Sequence, residues 1–418
     1  MTSAATHTPS AISEKREKYD ILDLFAGPGG LDVAARYLGK EAIGIEWDGN
    51  ACETRLAAGL PTIHADVQEV RRNLRDHATR LKGVTILAGG PPCQTFSLAG
   101  SGSGRRDLDK VKGYIKRLAK DPQSADEIDA ELAKDAASHL GDSRTALVLE
   151  PLRWILAAAA AHEPFTGPFE TIILEQVPAV LPVWKAYEEA LASMELPDGK
   201  TYHTVSGVLL TEQYGVPQTR RRAVLIAKLG DEETEKPKLP RKTHLAFVRP
   251  RQDLQEPLPI DTSEEEDSES VESTFPWVPM GDALLRARKD LGSSDQLPER
   301  SSEFSVRSNY GSGGDPKKRG QRTSDQPAFT VTGKVSRNVV TGDVGPSKFT
   351  IHEAGVLQTF PGNFPWSGKD QSQQVGNAVP PRLGVHLMAA ALGIGKERRN
   401  KALNSMFTWP PVDTQETE

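Results

Sequence analysis

Cysteine is scarce: Cys52 and Cys93 are the only two in 418 residues. Two thiols cannot build a disulfide framework, and alone they cannot complete a four-coordinate zinc site. The expected compartment is therefore the cytoplasm, no metal is expected, and each cysteine is left to packing or reactivity. Long apolar runs are also missing. The longest, Ile155 to Ala161, falls far short of the ~20 residues of a membrane-spanning helix. The polar start over residues 1–18 has no signal-peptide core and is expected to be disordered. Nor is there an excess of positive charge: Lys+Arg 51 against Asp+Glu 57 gives −6. That excludes nucleic-acid binding through bulk charge but leaves room for local basic patches. What is present is an ordinary soluble composition, 37% hydrophobic and 26% charged, with a mean hydropathy of −0.46. At roughly 100–200 residues per domain, the length allows two or three domains, or one large α/β domain with insertions.

Strand-like and helix-like segments alternate from Tyr19. YDILDLF is followed by LDVAARYLG, EAIGIEWD by NACETRLAAG, then come PTIHADV and GVTILAGGPPCQ. This rhythm indicates a parallel α/β sheet. A segment over 100–142 interrupts it, basic in its first half (Arg105, Arg106, Lys110, Lys112, Lys116, Arg117, Lys120) and mainly acidic in its second. The pattern resumes with a helix over 145–162 and strands in ETIILEQV, YHTVSGVLLT and RRAVLIAKL. The expected organisation is a main domain over 19–229, a smaller and less regular domain over 230–345 with an acidic loop at 261–272, a return to the main domain over 346–395, and a disordered tail over 396–418.

Candidate chemistry collects at strand ends, where open α/β sheets bind ligands. In DLFAGPGG, Gly27, Gly29 and Gly30 let the backbone approach a ligand, and the next helix offers free N–H groups. Glu46 ends the following strand about 20 residues on, where dinucleotide-type folds place a ribose acceptor. A tight turn beside a surface acid is the alternative. Asp66 ends the third strand on the same edge. In GGPPCQTFS, Cys93 follows two prolines in a bendable loop, a setting unlike the apolar periodicity around a packing cysteine such as Cys52. Glu175 in ILEQVP is either a strand-end cap or a carboxyl able to hold a proton. In YGVPQTRRR, period-two spacing puts Arg220 and Arg222 on one face, either at a solvated edge or binding an anion.

Taken in order, these segments resemble the cytosine-5 DNA methyltransferase family of bacterial and phage restriction–modification systems. DLFAGPGG is similar to its cofactor loop and GGPPCQTFS to its nucleophile loop. ILEQVP, YGVPQTRRR, LQTFP and VGNAVPP are similar to its later blocks. The resemblance implies a Rossmann-like S-adenosylmethionine-dependent core with a mostly parallel sheet and a smaller target-recognition domain over 230–345. It implies that Phe25, Gly27 and Gly29 hold S-adenosylmethionine, with Glu46 on the ribose hydroxyls and Asp66 on the adenine amine. Asn377 and Val379 complete that site, and S-adenosylhomocysteine is the product. Cys93 is implied as the nucleophile and Glu175 as the contact to ring nitrogen 3 of the cytosine. Arg220 and Arg222 then help place the base and its phosphate. Double-stranded DNA is the expected partner, met by Gln218, Arg307, Lys317, Lys318, Arg319 and Arg322. A cognate restriction endonuclease, a monomeric state and a place at the bacterial nucleoid complete the expectation.

Three departures stand out. Gln176 follows Glu175 where the family has Asn, and its extra methylene is expected to shift the loop. His352 replaces the Arg before Glu353, weakening any ion pair there. The loop after Cys93 is longer than usual, and is expected either to close over a flipped base or to be a solvated helical insertion. Competing readings are an RNA (tRNA) cytosine-5 methyltransferase, a catalytically silent DNA-binding homologue and, more remotely, a nicotinamide dehydrogenase, which leaves PPCQ unexplained.

Overall fold

A computed structural model describes residues 18–92, 102–137, 147–194, 196, 199–248, 275–292, 294–308, 320–342 and 345–410. Its main sheet has seven strands: β1 Ile21–Leu24, β2 Ala42–Glu46, β3 Thr62–His64, β4 Ile86–Gly89, β5 Thr171–Gln176, β6 Thr201–Leu210 and β7 Arg221–Gly230. Their order is β3-β2-β1-β4-β5-β7-β6. The first five run parallel; β7 is antiparallel to β5, and β6 to β7. Three short strands, β8 Ser305–Arg307, β9 Gln321–Thr323 and β10 Val339–Thr341, form a second antiparallel sheet in the order β10-β8-β9.

The central strands are apolar on both faces because both faces are covered. Ile21, Ile86 and Ile173 point into one core with Leu31, Leu383 and Val385. Leu22, Leu87 and Ile172 point into the other, with Trp154, Trp184 and Tyr187. Phe304, Val306 and Val340 of the small sheet, with Met280 and Leu284 of the helix Met280–Leu291, belong to the first of these cores. Helices Gly30–Tyr37 and Pro381–Ala391 cross closely over that face through two glycines: a Cβ on Gly384 would stand 2.8 Å from Ala34 Cβ, and one on Gly30 would stand 2.2 Å from Val379 O.

Two expectations change. The tail is not disordered over 396–410: helix Lys396–Ser405 buries Ala402 and Leu403, and Trp409 packs beyond it. Trp409 lies edge-on to Tyr37 and Phe364 and donates to Ala58 O at 3.1 Å. Tyr37 in turn donates to Thr408 O. The segment after Cys93 is largely two helices, Gly102–Lys120 and Ala125–Ala137. Val111, Tyr114, Ile115 and Leu118 are buried in the second core, so this helix cannot swing over a base without exposing them. Lys116 pairs with Glu189, and Arg117 with Glu127 and Glu131, so part of its basic character is neutralised within the chain.

Candidate active site

The carboxyl ends of β1 to β5 share one edge of the sheet, and the sequence motifs meet there. After β1 the backbone turns through positive φ at Phe25 (59°), Gly27 (54°) and Gly29 (103°) before the helix Gly30–Tyr37 begins. Only glycine adopts such angles without strain, which is why the loop carries two. Glu46, at the end of β2, holds it in shape: its Oε2 accepts Gly27 N–H at 2.7 Å, and its Oε1 accepts Trp47 N–H at 2.9 Å and Asp48 N–H at 2.7 Å. Asp66 caps the helix Val67–Arg72, its Oδ1 accepting Gln68 N–H at 2.7 Å. The contact of Gly30 with Val379 brings the block at Asn377 and Val379 to the same loop. Asn377 is exposed, and its Oδ1 accepts from Gln373 at 2.9 Å.

Buried charge lies beneath this loop. Arg55 forms a two-pronged pair with Asp32, both contacts 2.8 Å, and donates to Thr62 Oγ1 and Pro61 O. Asp23 on β1 lies beside them. Burial, and then the neighbouring Asp32, raise its pKa well above the usual carboxylate range.

The second half of the site lies where β4 and β5 end. Glu175 is 5% exposed, and its Oε1 pairs with Arg222 Nε at 2.6 Å. Gln176 donates from Nε2 to Pro91 O at 2.7 Å, so the longer side chain still reaches the chain leading to Cys93. Cys93 itself lies outside the described residues, as do Lys317, Lys318 and Arg319. Arg220 and Arg222 serve different targets. Arg220 is 2% exposed and donates to Val331 O (2.7 Å), Gly376 O (3.0 Å) and Ala378 O (3.1 Å), clamping the backbone that leads into Val379. Burial, then Arg222, push its pKa well below the ordinary guanidinium value.

Two expected DNA contacts are corrected. Gln218 is fully buried; it donates to Leu357 O and Gln358 Oε1 and accepts from Val331 N, leaving nothing for a nucleic acid. Arg322 is half-buried, donating to Pro327 O, Ala328 O and Thr219 Oγ1 and stacked over Phe247 and Phe329. Arg307, by contrast, is exposed on β8. Glu353 also keeps an ion pair: Arg300, far off in sequence, replaces the missing neighbour with contacts of 2.7 and 2.8 Å.

One residue of the site escaped the sequence reading. Trp47, directly after Glu46, is 74% exposed. A bare indole beside a strand-ending carboxylate is the signal, since large aromatic rings seldom stay in water without a stacking partner. Among the described residues, no group of His, Cys, Asp and Glu could hold a metal ion, and no helix is long and apolar enough to cross a membrane.

Comparison with known proteins shows the family. The family model for the C-5 cytosine-specific DNA methylases matches residues 19–116 and 170–392, leaving out most of the inserted helical segment. The chain is 26% identical to the type II methyltransferase M1.HphI of Haemophilus parahaemolyticus, over 89% of this chain and 86% of that protein. It is also 26% identical to the type II methyltransferase M.Sau96I of Staphylococcus aureus, over 89% of this chain and 75% of that protein. Among solved structures, the S. pombe Dnmt2 methyltransferase aligns with 90% of this chain and 99% of its own, at 14% identity and a TM-score of 0.48. With more than half of its residues matched, the chain belongs to the C-5 cytosine-specific DNA methylase family and is a DNA cytosine methyltransferase.

Proposed function

We propose that this enzyme methylates carbon 5 of a flipped-out cytosine in a specific duplex DNA sequence, using S-adenosylmethionine and a covalent bond from Cys93. The observation that carries the reading is the Glu175–Arg222 pair at the end of β5, beside the β4 terminus that leads through Pro91 to Cys93. The cofactor loop lies one strand away, since β1 pairs with β4.

The residues fit S-adenosylmethionine. Nothing lies within 4 Å of where a Cβ on Gly27 would stand, so the loop leaves space for a ligand against its backbone. Glu46 offers a remaining lone pair to ribose hydroxyls, and Asp66 Oδ2 an acceptor for the adenine amine. Trp47 offers a ring face to the purine. Asn377 and Val379 close the site from the other side, and Arg220 holds the backbone that carries them. When bound, the cofactor supplies an electrophilic methyl group on a cationic sulfur.

Carbon 5 of cytosine is a poor nucleophile. Addition of the Cys93 thiolate to carbon 6 makes carbon 5 enamine-like, dividing one difficult step into easier ones. Glu175 supports that addition by donating a proton from Oε2 to ring nitrogen 3, where negative charge develops, and takes it back when the cysteine leaves; Arg222 pairs with Oε1. Carbon 5 takes the methyl group and then loses its proton to water, and the cysteine leaves with the electrons of its bond to carbon 6. A stacked base cannot enter such a site, so the cytosine leaves the helix first. The region 230–345 reads the sequence, with exposed Arg307 among its DNA contacts. The enzyme acts as a monomer and protects DNA from a partner endonuclease.

Nucleoside mass analysis tests this directly, after incubating the protein with S-adenosylmethionine and unmethylated genomic DNA beside a Cys93→Ser control. New 5-methylcytosine, absent with the variant, is the expected result. Product made equally by the variant sinks the assignment of Cys93, and methylated tRNA without methylated DNA sinks the assignment of substrate.

A further inference from the structure

β4 and β5 part company inside the site. Their parallel ladder ends at Gly89↔Leu174. Beyond it β5 continues along β7, through Glu175↔Val224 and Gln176↔Ala223. On the β4 side, Gly90 N–H turns to Leu24 O of β1 at 3.3 Å. Pro91 and Pro92 have no N–H to donate, so a backbone ladder cannot resume there. Pro91 is nevertheless buried, and a buried carbonyl needs a donor. A side chain supplies it: Gln176 Nε2 donates to Pro91 O at 2.7 Å. The oxygen of the same amide accepts the N–H of Val177. With both ends engaged, the amide has one orientation and acts as a strut between β5 and the chain that enters Cys93.

We propose that Gln176 is a positioning residue, whose amide holds Pro91, two residues before Cys93, against β5 next to Glu175. The inference rests on the roles given above to Cys93 and Glu175. The length of the side chain matters here. Asparagine, one methylene shorter, would fall short of Pro91 O by about 1.5 Å unless a strand moved. Reacting groups tolerate little such movement, because a displacement of ~1 Å can cost ~10²-fold in rate. The glutamine in this chain is therefore matched to its own strand spacing and does not act as a lengthened asparagine.

The test uses duplex DNA copied with 5-fluorocytosine in place of cytosine, so that the recognition sequence need not be known. Fluorine cannot leave carbon 5 as the proton does, so the bond to Cys93 persists and the trapped complex is counted on a denaturing gel. With S-adenosylmethionine present, wild type should trap this DNA. Gln176→Ala should trap it about 10–100-fold more slowly, while its affinity for S-adenosylhomocysteine stays close to wild type. Gln176→Glu adds a readout that a merely structural role would not move. Its protonated carboxyl can donate to Pro91 O, whereas its carboxylate repels that oxygen. Both proteins lose the Cys93 thiolate as pH falls, but only the variant gains a donor, so the ratio of its trapping rate to that of wild type should rise as pH falls. Equal trapping by wild type and Gln176→Ala, or a wild-type pH profile in Gln176→Glu, overturns the inference. No trapping by wild type overturns the reading of Cys93 on which it rests.

Discussion

Gly30→Ala sets two physical effects against each other. Within a helix, alanine is favoured over glycine by about 0.8–1 kcal/mol, and Gly30 is not among the glycines with positive φ, so helix propensity alone predicts a gain. The tertiary contact predicts the opposite. The new Cβ would stand 2.2 Å from Val379 O and 3.1 Å from Val379 N and C. Carbon–oxygen contacts settle near 3.3 Å or more, so about 1 Å must be found. The obstructing atoms are backbone and cannot rotate away. Relief by moving helix Pro381–Ala391 is opposed at Gly384, which already lies against Ala34. Overpacking of this kind costs roughly 1–3 kcal/mol, enough to reverse the gain from propensity. The same displacement shifts Asn377 and Val379 relative to the glycine loop, so cofactor affinity should fall as well. Thermal melting with and without S-adenosylhomocysteine, together with an equilibrium titration, reads both effects. A variant that melts at or above wild type with unchanged affinity refutes the reasoning. Gly27→Ala is the useful contrast: its Cβ meets no atom, so only the strain of a left-handed residue, about 1–2 kcal/mol, should appear.

Arg300→Met should destabilise the fold by about 3–5 kcal/mol, because it leaves Glu353 buried and unpaired; urea unfolding measures this, and a midpoint equal to wild type contradicts it. Asp23 has a folded pKa above its unfolded value of about 3.9, so its contribution to stability is complete below that pH and is lost as pH rises through the folded pKa. Asp23→Asn should remove that decline, and identical stability–pH slopes for the two proteins would count against the buried acid. Trp409→Ala should cost about 3–5 kcal/mol by stripping the packing on Tyr37 and Phe364, visible as a lower melting temperature; an unchanged melt would mean the C-terminal helix is not needed to brace the cofactor helix. Arg307→Ala should weaken DNA binding and lower the salt slope by about one if it meets a phosphate, and an unchanged slope removes it from the interface.

Much of the fold was legible because its signals are local. Apolar strands alternating with short helices announced the parallel sheet, and the cluster of glycines ending at Gly30 announced a loop between strand and helix. The strand-end positions of Glu46 and Glu175 were readable for the same reason, whereas Asp66, expected to end the third strand, lies beyond β3 and caps the next helix. Pairing across distance was not readable. Gln218 and Arg322 are polar residues in turn-rich sequence, which suggests surface, yet both satisfy carbonyl oxygens inside the protein. Arg300 stands 53 residues from Glu353 and could not be named as its partner. The helix Lys396–Ser405 is polar for most of its length, and the buried apolar residues of it and the turn beyond, Ala402, Leu403, Met406 and Trp409, are too few to show a periodic face.

By itself, the sequence determined which chemistry the chain carries: a thiol after two prolines, a strand-end carboxylate and a glycine loop that admits a ligand. Those properties belong to single residues and to backbone angles set by near neighbours. Only the tertiary structure decided how these groups are held. It gave Arg222 to Glu175 and spent Arg220 on three carbonyl oxygens, and it set Val379 against Gly30. Contacts of 2.6–3.1 Å between residues far apart in sequence are set by how strands and helices pack, and no local pattern encodes them.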